Sequence, residues 1–489
     1  MIGLLNRLLR NGEITSHELV ERSLRLIEAG DGALGAVVAL RAEQALAEAA
    51  DVDRARAAGE RLGPLAGLPV LVKDLEDVAG MVTTRGSLLH ADDPPAAADG
   101  LVPGRLRAAG AILVGKTNLP ENAFEAYTAN RLFGVTRNPW GQEWSPGGSS
   151  GGSAAALAAG MVPIATATDG GGSARIPPAF CGLVGLKPSN GIVARSPVPS
   201  WIDLSTDAPM GHSVDDVALM LEVMRGPAIG DPSALPRWEP AAAPTPVRLL
   251  AAPRTVDWGP LDPDLQRAFD DALRALERDL GLPVEPVAPS AVTPAGNADE
   301  DWFTICTTEQ AHEVGAVVLE EQADRFDPVF LAHMQNGLRV GIEEYLTVRR
   351  RRFAHTAALD RLLGDDAVLV TPTLAMAAQH ADGRMVGAEV PGTPADALNT
   401  CLQNITGSPA LSVPAGRLPS GLPFGLQFTG PRYRDDLLLA LGGRWEEARP
   451  WPWYAPGFEP LVDQPSAPEP PRMASARRSD PARPEGVGA

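Results

Sequence analysis

Gly147-Gly-Ser-Ser-Gly-Gly-Ser153 runs into Ala154-Ala-Ala-Leu-Ala-Ala159, then into an apolar stretch, Pro163 to Thr168, and then into Thr168-Asp-Gly-Gly-Gly-Ser173-Ala-Arg175. Taken alone, the first tract reads as a flexible linker. Its neighbours contradict that, because a strong helix-forming run follows at once and places the glycines and serines at a helix N-terminus. The second tract ends a strand with three glycines before a serine. Such a backbone turns sharply and leaves its N–H groups bare, and clustered bare donors are what an oxyanion requires.

Outward from this pair, apolar runs of strand length alternate with segments of helical period. Leu68–Val72, Ala111–Val114, Pro163–Thr168, Val247–Ala252, Ala367–Thr371, Ala410–Val413 and Phe424–Phe428 read as buried strands. Ser16–Ala29, Arg41–Arg61, Val214–Met224, Pro263–Leu280, Thr308–Ala323, Glu343–Leu363 and Asp435–Ala448 read as helices. The pattern predicts an α/β fold, a large sheet covered by helices on both faces. Pro236–Thr245 is Pro/Ala-rich and reads as a hinge or surface loop. Pro, Arg, Ser and Ala dominate residues 464–489, so the expectation is one folded domain over 1–463 followed by a disordered tail. No internal repeat is visible.

The chain of 489 residues carries a net charge of −19, which disfavours nucleic acid and anionic lipid as partners. The most basic run, Arg349–Arg352, reads as a solvated helix face. Three well-separated cysteines, Cys181, Cys306 and Cys401, suggest neither a disulfide framework nor a zinc cluster. With no signal-peptide core or membrane span in the pattern, the expected location is the cytoplasm.

Several motifs match in letters only. Gly110-Ala-Ile-Leu-Val-Gly115-Lys116-Thr117 fits a phosphate-binding loop, but Ala111–Val114 is itself a strand and Pro120 follows shortly. Gly147-x-Ser149-x-Gly151 and Gly148-x-Ser150-x-Gly152 fit a nucleophile elbow, but Trp140–Pro146 is no strand. None of the seven histidines has a suitable partner nearby in sequence, and His312-Glu313 lacks the second histidine of a zinc helix.

The run from Gly147 to Ser189, with Thr168-Asp-Gly-Gly-Gly-Ser-Ala-Arg-Ile-Pro and Cys181-Gly-Leu-Val-Gly-Leu-Lys-Pro-Ser, resembles the amidase signature family. Further matches are Gly67-Leu-Pro-Val-Leu-Val-Lys73-Asp74, Gly115-Lys-Thr-Asn-Leu-Pro-Glu121, Thr136-Arg-Asn-Pro-Trp140 and Gly421-Leu-Pro-Phe-Gly-Leu-Gln427. The likeness covers roughly Leu8 to Trp451. It implies a large mixed, twisted sheet, and an amide hydrolase using a Ser-Ser-Lys triad through a seryl acyl-enzyme. Carried over, the catalytic lysine falls on Lys73, the bridging serine on Ser149 after a cis peptide bond, and the nucleophile on Ser173. Backbone N–H groups of Gly170, Gly171, Gly172 and Ser173 are the expected oxyanion donors. No metal or organic cofactor is implied. The partner is a small-molecule amide, and a homodimer is common in the family.

Two departures from the family pattern are Gly170, where many members have Thr or a larger residue, and Ala174, where Ile or Val is common. Asp169 and Arg175 are expected to orient the glycine turn, and Asp74 to tether local backbone. Phe124, Phe133, Trp302, Phe303 and Cys306 are assigned to core packing, with a place on an acyl pocket as the alternative. The competing functions are the glutaminase component of a tRNA-dependent amidotransferase, an esterase or carbamate hydrolase on the same site, and a non-enzymatic binding protein on this scaffold.

Overall fold

A computed structural model describes residues 1–197, 199, 201, 203–236, 239 and 248–465. Most of the 236–245 stretch and the tail from residue 466 onward lie outside the described residues.

The strands in chain order are β1 (Val37–Leu40), β2 (Pro69–Lys73), β3 (Ile112–Thr117), β4 (Ala129–Asn130), β5 (Gly134–Val135), β6 (Ile164–Asp169), β7 (Val184–Lys187), β8 (Thr206–Gly211), β9 (Arg248–Ala251), β10 (Val284–Pro286), β11 (Ala367–Pro372), β12 (Ala410–Arg417) and β13 (Pro423–Thr429). Apart from the small β4–β5 ribbon they form one sheet of 11 strands, ordered β1-β3-β2-β6-β8-β7-β12-β13-β11-β9-β10. The sheet is mixed: β3, β2 and β6 run parallel, as do β11, β9 and β10, and the strands between are antiparallel.

Successive residues of the central strands enter different cores, as the two-residue period of a strand requires when both faces are covered. On β2, Val70 and Val72 join one cluster and Leu71 the opposite one. On β9, Leu249 and Ala251 point one way and Leu250 the other. Helices Ile2–Asn11, Val214–Met224, Pro263–Leu280 and Asp435–Ala448 supply the first cluster. Helices Ser16–Leu34, Ala42–Ala57 and Gly151–Ala158 cover one half of the other face, and Ile342–Leu363 the other half.

All seven expected strands are present. The helix expected over 308–323 is displaced: it spans Ala298–Val314, and a shorter helix, Ala316–Glu321, follows. The Asn297 side chain caps it by accepting the backbone N–H groups of Asp299 and Glu300, and Gly315 at φ 92° ends it. The sequence pattern also missed β8, where Asp207 and Pro209 interrupt the apolar signal of Ala208 and Met210.

All eight residues of helix Gly151–Ala158 are buried, so its composition reflects space rather than flexibility. A Cβ on Gly152 would lie 2.5 Å from the Asn118 nitrogen and 2.6 Å from the Ala36 oxygen, both backbone atoms that cannot move aside. Gly152→Ala is expected to cost about 3 kcal/mol in urea unfolding, the upper end of overpacking penalties. Gly443→Ala, on helix Asp435–Ala448 with nothing within 4 Å of the added carbon, is the control. It should be neutral or stabilise by up to about 1 kcal/mol.

Candidate active site

β2 and β6 are parallel neighbours and end on the same edge, so their last residues, Lys73 and Asp169, emerge side by side beneath the start of helix Gly151–Ala158. Ligand sites form at such carboxyl ends because the chain departs there into loops.

Lys73 is fully buried. Its Nζ donates to Ser149 Oγ at 2.7 Å, Thr168 Oγ1 at 2.8 Å and Ser150 Oγ at 3.0 Å, and among the described residues no carboxylate lies within ion-pair distance. An ammonium has three hydrogens for these oxygens. A neutral amine has two hydrogens and a lone pair, and a hydroxyl can turn to fill the lone pair, so both protonation states are satisfied. Burial is the main cause lowering the Lys73 pKa to about 7, with Glu76 pulling the other way. Its neighbour Lys116 on β3 has a different set of partners: Asp74 at 2.9 Å, the Val82 carbonyl at 2.9 Å and Thr83 Oγ1 at 2.7 Å. Carboxylate and carbonyl oxygens only accept, and this pair tethers local backbone as expected of Asp74. Lys116 and Thr117 lie on β3 itself, so the phosphate-loop letters form no such loop.

The peptide bond between Gly148 and Ser149 is cis. Ser149 and Ser173 line one cavity of about 900 Å³, together with Gly148, Gly170 and Gly171. Ser173 Oγ has no hydrogen-bond partner among the described residues.

The glycine loop is held from behind. Asp169 and Arg175 form a fully buried two-point ion pair, with Nε to Oδ2 at 2.8 Å and an Nη to Oδ1 at 2.9 Å. The remaining guanidinium hydrogens go to Gln403, Gln427, Asn404 and the Thr400 carbonyl. The Gly170 carbonyl accepts from Trp302 Nε1 at 2.6 Å, and the Gly171 carbonyl from Thr400 Oγ1 at 2.6 Å. Since C=O and N–H point oppositely across a planar peptide, these bonds turn the N–H groups of Gly171 and Gly172 the other way. The Gly172 N–H is taken by Asp169 Oδ1 at 2.8 Å. That removes Gly172 from the expected oxyanion donors; Gly170, Gly171 and Ser173 keep N–H groups without an acceptor among the described residues.

A side chain at any of the three glycines would have to displace a neighbour. A Cβ would meet the Trp201 ring at 2.7 Å from Gly170, the Trp302 ring at 2.4 Å from Gly171, and Thr400 Oγ1 at 2.4 Å from Gly172, whose φ is +131°. The departure at Gly170 is thus filled by Trp201, which lines the cavity.

Phe124, Trp302 and Phe303 do more than pack the core: they belong to a buried aromatic cluster and also face the cavity. Phe124 stacks on Trp302 with centroids 6.4 Å apart and meets Phe303 edge-on. Phe133 is exposed and off the cavity, while Cys306 is sealed in the cluster with its thiol pushed well up by burial. Arg349 and Arg352 are not a merely solvated face, since both pair with Asp203.

Glu76, Asp207 and Arg195, which sequence reasoning missed, line the cavity near Lys73. Asp207 lies 3.4 Å from Arg195, and Glu76 accepts the Thr166 hydroxyl. Burial, and then Asp207, raise the Glu76 carboxyl. Only the position of Glu76 three residues beyond Lys73 could have signalled it.

Residues 18–439 match the family described as Amidase. The chain is 35% identical to an acylamidase of Rhodococcus erythropolis over 453 residues, covering 90% of this chain and 94% of that protein. It is also 35% identical to a component of the glutamyl-tRNA(Gln) amidotransferase of Synechococcus sp. (strain CC9605), covering 90% and 94%. Among solved structures, a bacterial aryl acylamidase of the amidase signature family superposes with a TM-score of 0.83 at 28% identity, covering 91% of this chain and 95% of that one. A 6-aminohexanoate cyclic dimer hydrolase superposes at 0.80, also at 28% identity, covering 92% and 97%. Sequence, fold and hydroxyl-surrounded lysine agree that the chain belongs to the amidase signature family and is an amide hydrolase.

Proposed function

We propose that Ser173 is the nucleophile, Ser149 the proton bridge and Lys73 the base of a hydrolase acting on acyl amides with an apolar or aromatic group. The observation that carries this is the Lys73 amine bonded to hydroxyls alone, 2.7 Å from Ser149. A serine hydroxyl attacks a carbonyl only once a base takes its proton, and a neutral buried amine is such a base. The proton of Ser173 passes to Ser149 as Ser149 gives its own to Lys73. The carbonyl carbon becomes tetrahedral, with its oxyanion on the free N–H groups of Gly170, Gly171 and Ser173. Ser149 returns a proton to the nitrogen, the amine departs, and water cleaves the seryl ester by the same relay.

Phe124, Trp302 and Phe303 offer the apolar wall such acyl amides need, and the likeness to acylamidases supports that class over free glutamine. We infer one catalytic domain up to residue 463. The cytoplasm is our reading of its location, favoured by three free, buried cysteines. Among the described residues no helix is long and apolar enough to cross a membrane.

A serine-reactive organophosphonate is expected to label Ser173, read by peptide mass spectrometry; an adduct on Ser150 or Ser153 overturns the assignment. Ser173→Ala should lose on the order of a thousandfold or more in kcat.

Because the base must be neutral, kcat/KM should rise with pH through about 7 and level off above it. Lys73→Arg should be nearly inactive across that range, since guanidinium keeps its proton. Retained activity in Lys73→Arg would mean that a fixed positive charge suffices.

A further inference from the structure

The wall of the cavity is acidic. Besides Glu76 and Asp207 it carries Asp77, Glu125, Asp299 and Glu300, against the guanidinium groups of Arg195 and Arg85. Glu76 is engaged by Thr166 and Asp207 by Arg195, while Glu125 Oε1 lies 3.2 Å from His333 Nε2 without a hydrogen bond.

Asp299 differs. It is 2% exposed and lines the cavity; Oδ2 accepts from Trp258 Nε1 at 3.1 Å, while Oδ1 has no hydrogen-bond partner among the described residues. Its backbone N–H is held by the Asn297 cap, and Trp302, the residue that pins the Gly170 carbonyl, follows on the same helix. Arg254 acts on it only at a distance: its two Nη groups go to the carbonyls of Asp396 and Pro260, and its Nε–H is buried without a partner among the described residues. A buried acceptor without a donor is costly, and a ligand that supplies the donor recovers that cost.

We propose that the substrate amide carries an ammonium group and that Asp299 receives it, as a specificity-determining residue. The proposal rests on the amidase reading above and names the substrate class for the same site. A cation suits the acidic wall, and the net charge of −19 draws cations toward the molecule. Burial is the main cause raising the Asp299 carboxyl to about 7, against the Trp258 hydrogen bond and Arg254, and an ammonium beside it favours the carboxylate.

The test compares kcat/KM within two isosteric pairs: β-alanine anilide against butyranilide, and N-(aminoethyl)benzamide against N-propylbenzamide. The wild-type enzyme is expected to prefer the ammonium member of at least one pair by about tenfold or more, the size of one hydrogen bond to a charged group. Asp299→Asn should collapse that ratio. A wild-type ratio at or below one in both pairs, or a ratio unchanged in Asp299→Asn, overturns the proposal. Competitive inhibition of the wild type by benzylammonium against benzyl alcohol needs no variant: about tenfold tighter binding of the ammonium supports the proposal, and equal or weaker binding overturns it. Phosphonate labelling of Ser173 separates the two readings. If Ser173 is labelled and neutral amides are cleaved without preference, Asp299 alone is wrongly assigned. If nothing is labelled or cleaved, the catalytic reading fails.

Discussion

The site depends on one buried ion pair. Asp169 ends β6 and Arg175 precedes the helix Ile176–Cys181, so their two-point contact closes the chain over the three glycines between them. Two charges removed from water are costly unless every remaining donor and acceptor is used. Here the guanidinium is met by four further oxygens, and Asp169 also takes the Gly172 N–H and the Asn404 amide. Because those partners come from 400–404 and from β13, the loop forms only when the far half of the sheet is in place.

Electrostatics divides the labour between adjacent strands. Lys116 meets a carboxylate and Lys73 meets hydroxyls, though both are fully buried and lie on paired strands, β3 and β2. The same side chain is structural in one setting and suited to carrying a proton in the other. What separates them is the ability of a hydroxyl to reverse its role between donor and acceptor.

Much of this was legible in the sequence because it is written in short, ordered runs. The strands are apolar and short, and the two Gly/Ser tracts carry their own punctuation, while Lys73, Ser149 and Ser173 are singled out only by the resemblance to the amidase signature family. What stayed hidden comes from distance. Trp201, Trp302 and Thr400 reach the glycine loop from segments with no local signature, and Asp207 sits in a strand masked by its own proline. The misplaced helix near residue 300 has the same origin: an asparagine cap outweighed the apolar period that the eye follows. Gly172 could not be told from Gly170 and Gly171 by letters, since only the Asp169 contact sets it apart.

Trp302 is at once wall and strut. Its ring faces the cavity while its indole nitrogen fixes the peptide whose N–H belongs to Gly171. Enlarging the pocket by trimming that ring therefore also loosens the peptide whose N–H we propose as an oxyanion donor. At this position the breadth of the substrate range and the speed of turnover are mechanically tied. At Phe303, which faces the cavity without such a bond, they are separable, so directed evolution toward bulkier amides has a cheaper route through Phe303 than through Trp302.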